Sequence, residues 1–266
     1  MIEKEIIESY LDKGLNFKEI SNELGVNYKT LLRYTKKYEL KSGVGTQGAR
    51  KHKFNEEFFR IIDTEEKAYW LGFIAADGCV YQNSNAWRLQ INLKGSDIDH
   101  LEKLQLAIKS NYKIAEKVVG SSEVCQLKIN SKTMCEDLIN QGIIERKSLV
   151  VRMPEMESNL QRHFIRGYFD GDGNIKNFKD KNNRHRYNFN IVGGEEMLNS
   201  INEVMPCQLN LYKVKRATPI FSLETTAKEK LIEIYDFLYK DATVYLERKK
   251  DIYSNLMSRF VEMQRQ

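Results

Sequence analysis

Apolar and polar residues follow two kinds of period along this chain. Between residues 4 and 38 the apolar side chains recur at helical spacing and break at Gly14 and Gly25, which predicts three short helices. Farther along, apolar and polar residues alternate strictly, as they do in half-buried strands. The alternating segments are residues 87–94, 124–130 and 187–191. The pattern therefore predicts a small all-α region followed by an α+β region.

The region from Phe54 onward contains a loose internal repeat. Each copy begins with an apolar, glycine-containing helix that ends in Asp-Gly, and continues with strands, a helix, strands and a further helix. Two such copies in one chain predict a pseudo-twofold architecture. The predicted division is an all-α domain at 1–40, a basic flexible linker at 41–53, and repeats at 54–152 and 153–266.

The second and third predicted helices, joined by a turn at Gly25, resemble a helix-turn-helix. Asn27 is expected to cap the third helix, whose first turns would lie in the major groove of DNA. The residues predicted to contact DNA there are Tyr28, Lys29, Thr30 and Arg33. The alternative is a small helical cap with no partner.

The linker is rich in glycine and basic residues and has no apolar period. A basic segment of this kind is suited to contacts with phosphates, which add affinity without sequence information. The residues predicted to make such contacts are Arg50, Lys51 and Lys53. The alternative is a solvated tether.

Composition limits the classes of protein to which the chain can belong. The 266 residues carry a net charge of +5, which only weakly favours a polyanionic partner. Four cysteines without a C-x-x-C pair and four histidines without zinc-like spacing argue against a zinc site. No apolar run approaches the roughly 18 residues of a membrane span. Because the first residues contain no signal-peptide core, an intracellular protein of the cytoplasm or nucleoid is expected.

Two predicted helices share a pattern of small residues and a final acid. Residues 70–78 and 165–173 align with Gly at the third position, a small residue at the seventh, Asp at the eighth and Gly at the ninth. The third and seventh positions lie one turn apart on one face, so that two helices can pack closely there. The predicted interface residues are Gly72, Ala76, Gly167 and Gly171.

Such packing would bring Asp77 and Asp172 together at the ends of the two helices. Two carboxylates held close repel each other unless a cation lies between them, and Mg²⁺ prefers oxygen ligands. Metal ions at such a place are suited to phosphodiester hydrolysis. We therefore predict a magnesium site, with Mn²⁺ as a substitute.

These two stretches resemble the paired motif of the LAGLIDADG homing endonucleases, and the resemblance extends from Lys53 to the C-terminus. It implies two αββαββα repeats whose four-stranded sheets form a saddle over the major groove of double-stranded DNA. It also implies that Asp77 and Asp172 are the metal-binding catalytic acids. The carbonyl groups of Ala76 and Gly171 would help to hold the metal. The implied activity is cleavage of both strands of a long site by a monomer, which leaves 3′ overhangs.

If the sheets form such a saddle, the outward-facing residues of the alternating strands are predicted to contact the DNA bases. Arg, Lys, Asn and Gln are the side chains that read guanine and adenine edges. In the first repeat these are Arg88, Gln90, Asn92, Lys94, Gln126, Lys128 and Asn130. In the second repeat they are Arg186, Asn188, Asn190, Lys213 and Lys215, with the loop 179–186, including Arg184, reaching flanking phosphates. None of the positions named on the strands is an acid, although an ordinary solvated sheet face is also polar.

The resemblance further implies a basic residue at the end of the second strand that supports the active site. Lys94 fits that place in the first repeat, whereas the matching place in the second repeat is assigned to Gly193. This difference predicts an asymmetric site whose two strands are cut at different rates.

Other functions fit parts of the same pattern. A transcription regulator with this fold, or an RNA-splicing maturase that binds intron RNA, would use the fold without cleaving DNA. Regulators that have lost cleavage tend to lose the acids, and this chain has both. An intein is disfavoured, because residue 1 is not a splicing nucleophile and residues 262–266 contain no His-Asn pair. An intron-encoded or free-standing enzyme is expected. A calcium loop at 170–181 is disfavoured by Ile175 and Lys181, and a glycosidase has no further support.

Overall fold

The structure is a computed structural model that describes residues 2–13, 15–40, 52–83, 86–143, 152–183, 185–215 and 219–264. The chain divides into two compact units, Met1–Lys53 and Phe54–Gln266. Within the described residues, no helix is long and apolar enough to cross a membrane. Most of the linker that we predicted at 41–53, including Arg50 and Lys51, lies outside the described residues.

The first unit consists of three short helices, as predicted. They are α1 (Lys4–Asp12), α2 (Phe17–Glu23) and α3 (Tyr28–Lys37). One buried apolar residue from each helix, Ile7, Ile20 and Leu31, forms the centre of its core. The side chain of Asn27 accepts a hydrogen bond from the main-chain N–H of Lys29, so the predicted cap of α3 is confirmed.

The second unit contains two successive αββαββα repeats, as predicted. The first comprises α4 (Glu65–Asp77), β1 (Gly78–Asn83), β2 (Ala86–Lys94), α5 (Ile98–Ala107), β3 (Ala115–Val119), β4 (Ser122–Asn130) and α6 (Lys132–Asn140). The second comprises α7 (Ser158–Asp172), β5 (Gly173–Lys179), β6 (His185–Gly193), α8 (Glu195–Val204), β7 (Asn210–Lys213), β8 (Phe221–Thr225) and α9 (Lys228–Tyr239). A further helix, α10 (Glu247–Gln264), follows the second repeat and has no counterpart in our prediction.

Each repeat forms one antiparallel four-stranded sheet with the same topology. The strand orders are β1-β2-β4-β3 and β5-β6-β8-β7. On one face of each sheet, alternate residues are apolar and fully buried beneath the helices. In the first sheet these include Leu89, Ile91, Leu127 and Ile129, and in the second Phe189, Ile191 and Leu223. The other face of each sheet therefore remains available for polar side chains.

Helices α4 and α7 pack with their backbones in close contact, as their small residues predict. A β-carbon added at Gly72 would overlap the carbonyl group of Phe164, and one added at Gly167 would overlap that of Tyr69. Both obstacles are main-chain atoms, so the close approach requires glycine on each helix. The two motif helices are thus the interface between the repeats.

Candidate functional site

The last residue of α4 is Asp77 and the last residue of α7 is Asp172, and each is followed at once by a strand. A β-carbon added at Gly171 would overlap the Cβ of Ala76 and would lie 3.3 Å from Oδ2 of Asp77. The carboxyl group of Asp77 is therefore beside the main chain that leads into Asp172. The structure brings the two predicted catalytic acids together, at the same end of the helix pair.

The donor groups at this place suit a hard divalent cation that keeps part of its water shell. They are the carboxylates of Asp77 and Asp172 and the predicted carbonyl ligands of Ala76 and Gly171. Within the described residues, no group of three or more His, Cys, Asp and Glu side chains is arranged to hold a metal ion. Magnesium is commonly bound through one or two carboxylates together with water and substrate phosphate. The donor set therefore fits Mg²⁺ better than a metal that needs a complete protein cage.

A lysine from α10 completes the site, and the sequence pattern did not reveal it. Lys249 is buried, and its Nζ donates hydrogen bonds to the carbonyl oxygens of Phe169 at 2.7 Å, Gly171 at 3.2 Å and Gly173 at 2.6 Å. Burial lowers the pKa of Lys249 to about 8, and the charges of nearby acids, among them Asp77 and Asp172, act in the opposite direction. This ammonium group thus lies at the C-terminal end of α7, next to both candidate acids.

The first carboxylate of the Asp-Gly-Asp-Gly segment, that of Asp170, has a structural role. Asp170 is buried and accepts hydrogen bonds from the hydroxyl groups of Tyr69 at 2.7 Å and Tyr239 at 2.8 Å, and from the N–H of Leu246 at 2.7 Å. Burial raises the pKa of Asp170, and these hydrogen bonds partly oppose that rise. Asp170 therefore connects α7 to α4, α9 and the segment before α10.

The basic residue predicted at the end of the second strand is present in one repeat only. Lys94 ends β2 with an exposed side chain, opposite Val124. In the strand register Leu93 lies opposite Cys125, and its counterpart Gly193 lies opposite Phe221. The residue that corresponds to Lys94 is therefore Gly194, and our assignment to Gly193 was wrong by one position.

Gly193 lies instead on the helix side of its sheet. A β-carbon added there would overlap the hydroxyl group of Tyr168, which donates a hydrogen bond to the carbonyl oxygen of Val192 at 3.4 Å. Residue 194, the true counterpart of Lys94, is also a glycine. The second repeat therefore has no basic side chain at the end of its second strand, as predicted. The cation next to the second acid is Lys249, which comes from α10 beyond the second repeat.

The polar face of the first sheet carries the residues that we predicted. Arg88 lies opposite Asn130, Gln90 opposite Lys128, and Asn92 opposite Gln126. Residues directly opposite each other in an antiparallel pair point to the same face, so these six side chains share one surface. Gln126 is the most buried of them, with 9% of its surface exposed.

The polar face of the second sheet differs from our prediction in two respects. Arg186, Asn188 and Asn190 lie on it, but Lys213 lies opposite Phe221 and so points to the helix side, which corrects its predicted place. The face also carries an acid, Glu224, directly opposite Asn190. The alternation of β8, in which Phe221, Leu223 and Thr225 face the helices, contained the information needed to find Glu224.

The remaining residues that we predicted to contact DNA are exposed, half-buried or outside the residues that the structure describes. Lys215 is exposed beyond the end of β7, and Arg184 lies outside the described residues. Arg186 is paired with Asp180 at 3.0 Å. In the first unit, Tyr28, Lys29 and Arg33 are exposed on α3 while Thr30 is half-buried, and Lys53 is exposed at the end of that unit. The structure is compatible with their contacting DNA and leaves those contacts as predictions.

No family model matches the chain. A part of it is 30% identical, over 158 residues, to the replication factor C small subunit of Methanocaldococcus jannaschii. That match covers 57% of this chain but spans only 8% of the length of the curated relative.

Solved structures with a similar fold are meganucleases and homing endonucleases. The structure of meganuclease I-SmaMI bound to uncleaveable DNA has a TM-score of 0.55 and 15% identity, covering 76% of this chain and 92% of that one. The I-LtrWI LAGLIDADG homing endonuclease bound to target DNA has a TM-score of 0.54 and 13% identity, covering 80% and 92%. The LAGLIDADG homing endonuclease I-GzeII in complex with its DNA target has a TM-score of 0.53 and 13% identity, covering 74% and 91%. The chain therefore has the fold of the LAGLIDADG homing endonucleases, as its motifs predicted.

Proposed function

We propose that this chain is a site-specific homing endonuclease that hydrolyses both strands of a long double-stranded DNA target with the help of a divalent cation. The observation that carries the proposal is the position of the Asp77 carboxyl group, which lies beside Gly171 and hence next to Asp172. A fold shared with endonucleases that were solved on DNA supports the same substrate class. Such an enzyme acts where DNA is, in the cytoplasm or at the nucleoid.

The chemistry follows from charges placed at the ends of α4 and α7. Asp77 and Asp172, with the carbonyl groups of Ala76 and Gly171, would hold Mg²⁺ or Mn²⁺. When bound, such an ion lowers the pKa of a coordinated water and stabilises charge on the phosphate. Lys249 adds a positive charge from α10 at the same place, where it offsets the two carboxylates and would stabilise charge that develops during cleavage. Lys94, exposed at the end of β2, would orient the attacking water on the side of the first repeat.

Recognition would be divided among four surfaces. The polar faces of the two sheets carry amide and basic side chains, which are suited to base edges in the major groove. The exposed start of α3 would add contacts at one flank, and the basic segment that ends at Lys53 would lie along phosphates. Because one chain supplies both acids, a monomer is sufficient for a double-strand break.

The test is cleavage of a randomised duplex-DNA library by the full-length protein in the presence of Mg²⁺. Variants Asp77→Asn and Asp172→Asn, run in parallel, keep the shape of each side chain and remove its negative charge. We expect defined cut ends from the wild type only, with DNA binding retained in both variants. A variant that still makes double-strand breaks would refute the assignment of the acids.

Selective binding without cleavage would point to a different function. If the wild type retains specific duplexes but cuts none, in Mg²⁺ and in Mn²⁺, the proposal of an endonuclease fails. The function would then be that of a DNA-binding regulator or an RNA-splicing maturase. Parallel binding assays with structured RNA distinguish these two outcomes.

A further inference from the structure

The two sheets can be compared position by position, because their registers are equivalent. Gly78, which follows the first acid, lies opposite Ile91, and Gly173, which follows the second acid, lies opposite Ile191. Counting back from these isoleucines along each strand, Gln90 corresponds to Asn190, and Arg88 corresponds to Asn188. The central strands therefore place different side chains at equivalent distances from the two acids.

The third strand of each sheet shows a reversal of charge at one of these places. Ile91 lies opposite Leu127, and Ile191 lies opposite Leu223. The next residue in the first sheet is Lys128, opposite Gln90, and the next in the second is Glu224, opposite Asn190. A cation in one repeat is thus replaced by an anion at the equivalent point of the other.

In the first sheet, neighbouring donors already occupy the amide oxygens of this face. Oε1 of Gln90 accepts from the hydroxyl group of Tyr81 at 3.1 Å, and Oδ1 of Asn130 accepts from Nε of Arg88 at 2.8 Å. The other two amide oxygens are engaged in the same way: Oε1 of Gln126 accepts from Lys117 at 2.8 Å, and Oδ1 of Asn92 accepts from Gln126. Each of these oxygens already accepts one hydrogen bond within the protein, and the β2–β4 pairs that point to this face carry the cations Arg88 and Lys128 but no acid. The first sheet therefore presents a donor surface.

In the second sheet the arrangement is the opposite. Glu224 accepts hydrogen bonds from the hydroxyl group of Ser222 at 2.7 Å and from the amide of Asn188 at 3.4 Å. Since a carboxylate only accepts, it orients the amide of Asn188 with the NH₂ group towards itself. The carbonyl oxygens of Asn188 and Asn190 are covered by neighbouring atoms and accept no hydrogen bond from the residues that the structure describes. Because these two oxygens are covered, the acceptor that this face presents to a ligand is the half-buried carboxylate of Glu224.

Bases in the major groove offer donors of only two kinds. Adenine presents its N6 amino group and cytosine its N4 amino group, whereas guanine N7 and O6 and thymine O4 are acceptors. A carboxylate pairs with the amino group of cytosine, and Asn pairs with N6 and N7 of adenine. The acceptor cluster, defined here as Glu224 with the adjacent Asn188 and Asn190, therefore suits a base that donates to the Glu224 carboxylate. Lys176, opposite Asn188, adds one cation at the edge of the cluster.

We infer that the two half-sites are read with opposite hydrogen-bond polarity next to the cleavage centre. The acceptor cluster selects cytosine or adenine, and Lys128 with Gln90 selects guanine at the equivalent place of the other half-site. The inference rests on the proposed function, since it assumes that the polar faces contact DNA. Asn190 lies opposite Asn174, which is the second residue after Asp172, so the base pairs concerned are inner ones.

The experiment is a selection of binding sites from a randomised duplex library by the full-length protein in EDTA, so that no site is lost to cleavage. The wild type is compared with Glu224→Lys and with Lys128→Glu. Glu224→Lys should change one inner position from cytosine or adenine to guanine, with a shift in base preference of roughly tenfold. Lys128→Glu should change the equivalent position on the other side of the centre in the reverse direction.

Two further variants separate recognition from other effects. Glu224→Gln keeps the shape of the side chain and adds a donor, so it should weaken the preference without reversing it, even if the lysine variant folds poorly. Glu123→Lys makes the same change of charge in β4, but its position opposite Val118 places it on the helix side of the first sheet. It should leave the preferred bases unchanged.

The outcomes distinguish this inference from the proposed function. Selected sites whose inner bases are the same for the wild type and Glu224→Lys would overturn the inference and leave DNA recognition intact. A wild type that enriches no sequence would contradict the proposed function itself, and the inference would fall with it.

Discussion

The ammonium nitrogen of Lys249 lies 3.2 Å from the carbonyl oxygen of Gly171, the residue that precedes the candidate catalytic Asp172. The carbonyl groups at the end of a helix carry partial negative charge, so a lysine there is favourable even when buried. Through this contact α10, which lies outside the two repeats, becomes part of the candidate active site. Lys249 therefore supplies the second repeat with the cation that Gly194 cannot supply.

Replacing Lys249 by methionine should reduce cleavage by about 100-fold or more, the usual effect of removing one electrostatic stabiliser from a preorganised site. DNA binding should change little, because the side chain is buried away from the sheet faces. Single-turnover cleavage and binding assays on the selected target measure the two effects. The matched control is Lys250→Met, since Lys250 stacks on the ring of Tyr245, 3.6 Å from its centroid. Equal loss in both variants would argue against a specific role for Lys249.

The contact between α4 and α7 predicts a large effect from a small substitution. Gly72→Ala and Gly167→Ala each place a methyl group against main-chain atoms of the facing helix, so the helices must separate. We expect a loss of at least about 3 kcal/mol in the free energy of unfolding, measured in urea. Gly120→Ala is the control, because its position has a φ of +63° but open space around it. That change should cost about 1 kcal/mol, the strain of a left-handed alanine. A Gly72→Ala protein as stable as the control would mean that the helices are not in such close contact.

The buried His100 predicts that the protein becomes less stable in acid. Desolvation, followed by the charges of Lys103, Arg248 and Lys249, lowers the pKa of His100 from 6.5 to about 3. Below pH 6.5 the imidazole is therefore protonated in the unfolded chain but stays neutral in the folded chain. The free energy of unfolding consequently falls as the pH falls from 6.5 towards 3. At pH 4.5 this group alone should cost about 2 to 3 kcal/mol relative to pH 7.

A phenylalanine at position 100 removes the titration while fitting among the rings of Tyr69, Trp70 and Phe73, which surround the imidazole. Urea unfolding at pH 7 and pH 4.5 should show a smaller loss for His100→Phe than for the wild type. Part of the loss should persist, because burial also lowers the pKa of His163 to about 4. Identical losses in the two proteins would show that His100 does not control this sensitivity.

Removal of residues 1–50 tests the role of the first unit. The second unit has a continuous core of its own, so it should remain folded, and we expect cleavage to be retained. Affinity should fall and the footprint on the target should shorten at one end only. The full-length variant Arg33→Ala, which changes one exposed residue of α3, should weaken binding in the same direction. An unchanged footprint after the deletion would reduce the first unit to a helical cap.

Several features of the fold and site were predictable because they depend on short-range periodicity. The period of two in residues 87–94 and 124–130 located strands and their inward faces, since side chains alternate along any strand. The spacing of Gly72 and Ala76 indicated a close helix contact, because both lie on one face of any helix. The repetition of the motif then placed Asp77 and Asp172 together, and the polar faces of the sheets followed from the same alternation.

What the tertiary structure alone decided depends on contacts between segments far apart in the chain. Lys249 reaches the site from α10, 77 positions after Asp172, and no local pattern records that approach. The face of Lys213 depends on the register of a four-residue edge strand, which is too short for its own alternation to be decisive. The counterpart of Lys94 is Gly194 because the strand pairing of the two sheets determines which residues of the two repeats are equivalent. Local periodicity determines which way a side chain points within its own element, whereas pairing and packing determine what it meets.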